Sequence, residues 1–170
     1  MLVGSSGSLV MLGGGWMYAT EGVVAAVAPS SGQYGTVVNI TGARLRGNGS
    51  AVTQVTLNGV TARIVSQMDD VVQFEAGHGA AGVGAVVLTS STNATASRGS
   101  VWQYLPEGSI SQVVPAIGQI GTRVTIRGQR MVGGGGSVVD VLLGSVSVQQ
   151  VVMQNDTTRT SWCKPRAAVP

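Results

Sequence analysis

The stretch Val113-Val-Pro-Ala-Ile-Gly-Gln-Ile-Gly-Thr-Arg-Val-Thr-Ile-Arg-Gly128 decides the fold, because it occurs twice. The earlier copy reads Val27-Ala-Pro-Ser-Ser-Gly-Gln-Tyr-Gly-Thr-Val-Val-Asn-Ile-Thr-Gly42, and the two align without a gap at a constant offset of 86 residues (113 − 27 = 86). The offset extends outward from both copies: 20 of the 45 positions from residue 13 to residue 57 are identical to the residue 86 positions later. The pattern predicts a tandem array.

The length of the period predicts that each repeat is a whole domain. A period of 86 residues exceeds the roughly 20 to 50 residues of a solenoid unit and matches one small domain of roughly 100 residues. We therefore predict that residues 1–22 are the C-terminal strands of a preceding, truncated repeat, that 23–108 form a complete domain, and that 109–156 form part of a third repeat. Residues 157–170 depart from the pattern, and we expect an aberrant, disordered tail there.

Short strands account for the whole of the predicted complete domain. Val38 and Ile40 alternate with polar residues, which is the period of a strand with one buried face. Asn58-Gly59 stands between two strand-like runs and is typical of a tight hairpin turn. Seven such strands fit within residues 23–108, and no segment has helical periodicity. The sequence predicts an all-β fold, a two-sheet antiparallel β-sandwich.

Apolar packing alone has to hold this sandwich together, because residues 23–108 contain no cysteine. The aromatic residues Trp102 and Tyr104 lie two apart, as do Trp16 and Tyr18, so each pair is expected on one side of a strand. We predict that they are core residues; the alternative is an exposed platform on which sugars or bases stack. The predicted core consists of Val38, Ile40, Val55, Leu57, Ile64, Phe74, Val87, Trp102 and Tyr104.

The charge of the chain argues against nucleic acid as a partner. The formal net charge is +3, but three of the ten basic residues (Arg159, Lys164 and Arg166) lie in the last dozen residues. The remaining seven balance seven acidic residues, so the repeats are neutral. No apolar run approaches the roughly 18 residues of a membrane span, and no basic segment precedes the apolar run at 9–12. We expect neither a transmembrane helix nor a signal peptide in this piece.

The repeated motifs identify a family resemblance. An apolar run is followed by Pro-x-x-Gly-x-x-Gly-Thr-x-Val-x-Ile-x-Gly, then by Val-x-x-Val-x-Leu-x-Gly, and a closing aromatic-x-Tyr ends the unit. This pattern resembles the immunoglobulin-like IPT/TIG domain family, fully over residues 23–105 and partly over 110–152. The resemblance implies an immunoglobulin-like sandwich that binds or spaces rather than catalyses. The family has no universal catalytic or metal-binding residue to transfer.

Glycan acceptor triplets are the most informative chemical signal. Four of the five asparagines begin an Asn-x-Ser/Thr triplet, and only Asn58 does not. The candidate N-glycosylation sites are Asn39, Asn48, Asn93 and Asn155. Asn39 alternates outward from the predicted core, while Asn48 and Asn93 fall in predicted loops, so all three are expected to be exposed. The pattern indicates a eukaryotic secretory chain; the alternative is that the triplets match by chance.

No other motif predicts chemistry. His78 has no serine or cysteine motif around it, and Asp69-Asp70 is interpreted as a turn because calcium needs six or more oxygen ligands. The run 133–136 is glycine-rich but lacks the Lys-Ser/Thr of a phosphate-binding loop. Cys163 alone offers no disulfide framework. We therefore predict no catalytic residue, no metal site and no cofactor. Arg44 and Arg130 recur at the offset of 86, which suggests a structural or interface role.

These features predict a non-catalytic, extracellular binding, adhesion or spacer module of a tandem surface protein or receptor ectodomain. The expected partners are a protein or glycan ligand at the cell surface and neighbouring repeats of the same chain. No nucleic acid is expected, and membrane attachment is expected only through an anchor outside this piece. Two alternatives remain open: an accessory sandwich of a carbohydrate-active enzyme, and a nuclear DNA-binding module.

One structural hypothesis follows from the predicted domain boundaries. Residues 1–22 carry the closing strand that residues 109–156 lack, so the two segments could pair into an improvised second sandwich. A backbone ladder between residues 9–20 and 109–150 is the signature of that arrangement.

Overall fold

The computed structural model describes residues 1–148, 150–154 and 158–162, and this part of the chain consists of strands and turns. It contains no helix able to cross a membrane. The strands are, in chain order, β1 Leu2–Val3, β2 Leu9–Val10, β3 Val23–Ala28, β4 Ser31–Gly32, β5 Val37–Ala43, β6 Val52–Leu57, β7 Val60–Gln67, β8 Val71–Glu75, β9 Gly82–Ser90, β10 Thr95–Tyr104, β11 Ser109–Val114, β12 Arg123–Gln129, β13 Leu142–Leu143, β14 Val146–Ser147, β15 Gln150–Gln154 and β16 Thr158–Trp162.

Residues 23–104 form a two-layered sandwich, called the sandwich below. Its strands follow the hydrogen-bonded order β3-β5-β8-β7-β6-β9-β10-β4, and every pairing is antiparallel except the short one between β10 and β4. β7 belongs to both layers, because residues 60–62 pair with β6 and residues 63–67 pair with β8. β3 and β10 lie close to each other although they belong to different layers. The antiparallel β-sandwich predicted from the sequence is confirmed.

The core of the sandwich is apolar and lies between the two layers. Its largest fully buried side chains are Trp102, Tyr104 and Phe74. Seven of the nine predicted core residues are fully buried: Val38, Ile40, Val55, Leu57, Phe74, Trp102 and Tyr104. Ile64 is half-buried and packs against the same cluster. At about 25 cal/mol per Å² of apolar surface removed from water, this burial is the main stabilising contribution available to a sandwich without a disulfide.

The prediction that Val87 belongs to the core is wrong. Val86 and Leu88 are fully buried, whereas Val87 between them is only half-buried. The physical reason is the period of two along β9: the alternate residues 86, 88 and 90 face the core, so residue 87 faces away from it. The run Ala85-Val-Val-Leu is apolar on both faces, so its composition does not specify which residues are buried.

The twice-occurring stretch forms the same turn at both places. Thr36 donates its backbone N–H to the Gln33 carbonyl at 3.1 Å, and its hydroxyl oxygen accepts from the Gln33 N–H at 3.1 Å. Gly35 between them has φ +82°, a conformation that L side chains rarely adopt. In the second copy, Thr122 and Gln119 make the same pair of bonds at 3.0 Å and 2.9 Å. The motif Gln-x-Gly-Thr therefore specifies the turn that leads into β5 and β12.

The sandwich has one strand more than the seven predicted from the sequence. β4 is an eighth, two-residue strand that pairs with the end of β10. β10 continues through an irregularity at which Ser100 has φ +54°. The predicted Asn58-Gly59 hairpin is confirmed, with φ +48° and +79° at the two turn residues.

Residues 109–162 form two small sheets, called the C-terminal sheets below. One has the order β11-β12-β16-β15, and the other pairs β13 with β14. Val124 and Ile126 of β12 are buried, like Val38 and Ile40 at the equivalent positions of β5. β16 lies within the segment 157–170 that we expected to be disordered, so that expectation is wrong for residues 158–162. Residues 157 and 163–170 lie outside the described part of the chain.

β16 occupies the place in its sheet that β8 occupies in the sandwich. Ser161 is opposite Val124, as Phe74 is opposite Val38 in the β5–β8 ladder. A short serine therefore stands at the register position where the sandwich has its large aromatic residue. The sequence does not predict this strand, because residues 158–162 are mostly polar and have no strand-like alternation of apolar residues.

The N-terminal residues 1–22 do not pair with the C-terminal sheets. Within the described residues, β1 and β2 pair only with each other, so the hypothesis of an improvised second sandwich within one chain is wrong. Trp16 and Tyr18 lie outside any strand and are 78% and 90% exposed, so the prediction that they share one side of a strand in a core is also wrong. Their rings meet edge to face, with centroids 6.0 Å apart.

A pair of alanine substitutions in β9 tests which residues face the core. We expect Leu88→Ala to lower the free energy of unfolding by roughly 2–5 kcal/mol, because it leaves a cavity among fully buried side chains. Val87→Ala, the matched control, is expected to cost about 1 kcal/mol or less. Urea unfolding of the purified chain measures both values. Equal losses for the two variants would contradict the register described for β9.

Two polar atoms in the core have no hydrogen-bond partner among the described residues, the Tyr104 hydroxyl and the Trp102 indole N–H. Burial raises the pKa of the Tyr104 hydroxyl above its ordinary value. An unpaired buried hydroxyl costs roughly 1–3 kcal/mol, so this position opposes the stability that the surrounding packing provides.

The substitution Tyr104→Phe is therefore expected to maintain or raise the free energy of unfolding at pH 7. Above about pH 10, the unfolded chain ionises at Tyr104 while the folded chain resists ionisation, so the wild-type chain loses stability with rising pH and the variant loses less. Urea unfolding at pH 7 and pH 11 measures both effects, with the exposed Tyr34→Phe as the control. A loss above about 1 kcal/mol at pH 7 would indicate that the hydroxyl has a partner.

Candidate functional site

The connection between the sandwich and the C-terminal sheets is held from both sides. Residues 105–108 form this linker, which follows β10 and precedes β11. On the sandwich side, the Gln33 side-chain oxygen accepts a hydrogen bond from the Gly108 N–H at 3.0 Å. On the other side, Arg130 Nε donates to the Glu107 carbonyl at 2.9 Å. Two consecutive linker residues are therefore bound by side chains that belong to different sheet systems.

The same arginine contact occurs 86 residues earlier. Arg44 Nε donates to the Glu21 carbonyl at 2.9 Å, as Arg130 does to Glu107. Arg44 and Arg130 have φ +53° and +51°, a left-handed conformation that is uncommon for a residue other than glycine. The recurrence that we noticed in the sequence therefore has a structural cause: each arginine binds the chain segment that enters its own sheet.

Gly108 in the linker and its counterpart Gly22 are required by close backbone approach. A Cβ atom at Gly108 would lie 2.5 Å from the Arg130 carbonyl oxygen, and one at Gly22 would lie 2.4 Å from the Arg44 carbonyl oxygen. In the glycine-rich run 133–136, Gly133 and Gly134 have φ +63° and +81°, a conformation that favours glycine. A Cβ at Gly133 would meet the Gln33 side chain at 2.7 Å, whereas one at Gly136 would meet nothing within 4 Å.

An aromatic and an acidic contact lie beside the linker. The rings of Tyr34 and His78 stack at 3.7 Å with an interplanar angle of 9°. His78 Nδ1 lies 3.0 Å from Glu107 Oε1, and both side chains are exposed. Tyr34 follows Gln33 in the repeated turn, so the turn, the loop that carries His78 and the linker converge at one end of the sandwich. Six residues at this end make the contacts described above, and we call them the linker clamp: Gln33, Tyr34, His78, Glu107, Gly108 and Arg130.

Sequence reasoning missed Gln33 as a contact residue. Its only signal was its identity with Gln119 at the offset of 86, which the turn geometry alone explains. His78 lies exposed in a loop and contacts Tyr34 and Glu107, which the sequence did not predict.

Three of the four candidate glycan acceptors lie within the described residues. Asn39 is exposed on β5, where its side-chain oxygen accepts from Gln73 Nε2 at 3.1 Å. Asn48 and Asn93 are exposed in turns, with φ +59° and +62°. Asn155 lies outside the described residues. The amide nitrogen is the atom that a glycan modifies, so the Asn39 hydrogen bond leaves that atom available.

Asn48 and Asn93 share one groove at the end of the sandwich opposite to the linker clamp. The groove has a volume of about 610 Å³ and lies between residues 16–22 and the two turns. Its walls include Trp16, Tyr18 and Thr95. The exposed aromatic residues of the N-terminal segment therefore stand beside two of the candidate acceptors.

The described part of the chain contains no cluster of three or more His, Cys, Asp or Glu side chains able to hold a metal ion. Asp69 belongs to the Asp69-Asp70 pair that we interpreted as a turn. Its carboxylate accepts a hydrogen bond from the Arg46 backbone N–H at 3.1 Å and so stabilises a loop. Cys163 lies outside the described residues. The polar contacts of the described sites connect chain segments, and they do not gather a nucleophile and a base in one cleft.

The architecture is that of an immunoglobulin-like β-sandwich followed by a bound linker and further strands. The family model of the IPT/TIG domain matches residues 23–104, which are the residues of the sandwich. The comparison with curated proteins gives no match.

Several solved structures are similar to the chain. Plexin A4, full extracellular region, domains 1 to 10, is 19% identical over 86% of this chain and 13% of that chain, with a TM-score of 0.55. The same region, domains 1 to 8, is 20% identical over 93% of this chain and 17% of that chain, with a TM-score of 0.50. SGBP-B from a xyloglucan utilization locus in Bacteroides uniformis is 23% identical over 88% of this chain and 44% of that chain, with a TM-score of 0.39. The chain thus spans less than half of each, and the plexin similarity establishes the fold.

Expression in a secretory eukaryotic cell tests the candidate acceptors. We expect glycans at Asn39, Asn48 and Asn93, because all three side chains are exposed, and none at Asn58, which lacks the triplet. Intact mass before and after enzymatic glycan removal gives the number of sites, and peptide mapping of the resulting Asn-to-Asp conversions gives their positions. Unmodified asparagine at all three positions would remove the main support for a secretory chain.

Proposed function

We propose that this chain is a non-catalytic, extracellular module that binds or spaces, within a tandem array of IPT/TIG-like repeats. The match of the IPT/TIG model to residues 23–104 and the similarity of fold to plexin extracellular regions support the class. The candidate acceptors Asn39, Asn48 and Asn93 support the compartment. On this proposal, the partners are a protein or glycan ligand at the cell surface and the neighbouring repeats, and membrane attachment depends on an anchor elsewhere in the parent protein.

The observation that carries the spacer role is the linker clamp. A linker that is bound only by its covalent ends allows neighbouring domains to reorient, which is the usual expectation for small interfaces. Here Gln33 binds the amide of Gly108 while Arg130 binds the carbonyl of Glu107, so both partners constrain one dipeptide. Each hydrogen bond contributes roughly 0.5–1.5 kcal/mol, enough together to favour one orientation over others. A spacer requires that its units keep such an orientation.

The alternatives lose support on specific observations. A carbohydrate-active accessory sandwich would expose its aromatic row, and within the sandwich Trp102 and Tyr104 are fully buried. Trp16 and Tyr18 of the N-terminal segment are exposed and are the aromatic pair that this alternative would use. A nuclear DNA-binding module needs a basic surface, and the seven basic residues outside the last dozen positions are matched by seven acidic ones. The extracellular module therefore remains the proposal that accounts for the most observations.

A matched pair of glutamine substitutions tests the spacer role. Gln33→Ala removes the bond to Gly108, whereas Gln119→Ala, the control, changes the same turn position where the side chain is exposed. Residual dipolar couplings measure the relative order of the sandwich and the C-terminal sheets. We expect one shared alignment tensor for the wild-type chain and for Gln119→Ala, and reduced order of the C-terminal sheets for Gln33→Ala. Independent tensors in the wild-type chain would refute a spacer of defined orientation.

A further inference from the structure

Two asparagines of the sandwich, Asn48 and Asn58, are followed directly by glycine. Asparagine is a thermolabile residue because the backbone nitrogen of the next residue can attack its side-chain amide carbon. Glycine hinders this attack least, since it has no Cβ and its backbone is permissive. Both asparagine side chains are exposed, so the dipeptide and its exposure do not distinguish the two positions. The atoms around each following glycine do.

The Asn48-Gly49 step is held in place by hydrogen bonds. The Gly49 N–H donates to the Arg46 carbonyl at 2.7 Å, and the next N–H, that of Ser50, donates to Ser91 Oγ at 3.1 Å. A Cβ atom at Gly49 would lie 2.5 Å from Ser91 Oγ and 3.0 Å from the Arg46 carbonyl oxygen. The Gly49 nitrogen therefore turns toward the Asn48 side chain only when this loop opens locally.

The Asn58-Gly59 step lacks these restraints. It forms the two-residue turn between β6 and β7, where Leu57 and Val60 are the last paired residues. Gly59 is exposed, and a Cβ atom there would meet nothing within 4 Å. Among the described residues, neither the Gly59 N–H nor the Asn58 carbonyl takes part in a hydrogen bond. The peptide group between these two residues can therefore rotate without breaking a bond of the ladder.

The Asn58 side chain lies against the backbone of β9, where two glycines leave room for it. A Cβ atom at Gly84 would lie 2.1 Å from Asn58 Oδ1, and one at Gly82 would lie 3.6 Å from Asn58 Nδ2. Within the described part of the chain, the side-chain amide makes no hydrogen bond that would hold it there. It can therefore leave β9 and present its amide carbon to the Gly59 nitrogen at little cost.

We propose that Asn58 is a site of spontaneous deamidation in the folded chain, and that Asn48 is protected. The Gly59 nitrogen loses its proton to water and forms a bond to Asn58 Cγ. The bond between Cγ and Nδ2 breaks, Nδ2 takes up a proton and leaves as ammonia, and a cyclic succinimide remains. Water then opens the ring at either carbonyl and gives aspartate or isoaspartate. The net reaction exchanges NH2 for OH, with water as co-reactant and no change of oxidation state.

The two products affect the hairpin differently. Aspartate keeps the length of the main chain and adds a negative charge to an exposed turn. Isoaspartate places the former Cβ in the main chain, which lengthens a turn whose residues have φ +48° and +79°. The hairpin supports the loop that carries His78, because a Cβ atom at Gly77 would lie 2.4 Å from the Thr61 carbonyl oxygen. The modification therefore lies beside the loop that supplies His78 to the linker clamp.

Incubation in water labelled with ¹⁸O tests the proposal. The full chain, produced in bacteria so that Asn48 carries no glycan, is incubated in a mildly alkaline labelled buffer and then digested in unlabelled water. Deamidation during the incubation introduces ¹⁸O, so peptide mapping separates it from conversion during digestion. We expect Asn58 to convert roughly tenfold faster than Asn48 or more, because the Gly49 hydrogen bond has to break first. A chain carrying Asn58→Asp identifies the aspartate peptide, and the remaining labelled peptide is isoaspartate.

The same incubation in concentrated urea is the control for local sequence. Unfolding removes the hydrogen bonds around Gly49, so the two Asn-Gly steps should then convert at rates within about threefold of each other. Equal rates at Asn48 and Asn58 in the folded chain, or an intact Asn58 there, would overturn the proposal. A difference in urea as large as in the folded chain would assign the effect to neighbouring residues and overturn the structural cause.

Discussion

The edge-to-face contact of Trp102 with Tyr104, whose ring centroids are 5.5 Å apart, is the interaction on which the sandwich depends. Aromatic side chains bury roughly 150–250 Å² each, more than the aliphatic residues that make up most of this core. No cysteine in residues 23–108 supplements them. β10 carries both rings and lies beside β9 and β4, so the strand that provides the largest apolar surface also connects the sheet to the turn that opens the unit. Among the described residues their polar atoms have no hydrogen-bond partner, so the packing of the two rings has to offset the cost of burying these atoms.

Much of the fold could be predicted because the chain contains two versions of its own pattern. A Gly, a Thr or an apolar residue that recurs at the offset of 86 is needed for a turn or for the core, whereas a residue that changes is not. Gly35 and Thr36, which recur as Gly121 and Thr122, illustrate the turn. Prediction failed where a local segment is compatible with two registers. Val87 lies in a run that is apolar on both faces, so only the pairing of β9 with β6 decides which residues are buried. The sequence did not predict β16, because its segment is mostly polar. Its backbone pairing with β12 makes it a strand.

The linker clamp illustrates what a sequence reveals only in part. The recurrence of Arg44 and Arg130 indicated a role, but the role depends on a left-handed backbone that aims Nε at a carbonyl 23 residues earlier. Residue spacing alone does not reveal that geometry. Gln33 was harder still, because its side chain contacts a residue 75 positions later and its conservation between the two copies is explained by the turn. The exposure of Asn39, Asn48 and Asn93 could be predicted from the sequence, because Asn39 alternates with core residues and the other two lie in turns.

The direction of β10 sets the distance between the points at which the chain enters and leaves the sandwich. This strand begins beside the segment that Arg44 binds and ends beside the turn that contacts Gly108, so the chain enters the sandwich at one end and leaves at the other. Ten residues at about 3.3 Å each make this distance about 33 Å. Entry and exit at opposite ends favour units that follow one another end to end. Each added unit would extend the molecule by its full length, so reach away from an attachment point would grow in proportion to the number of units.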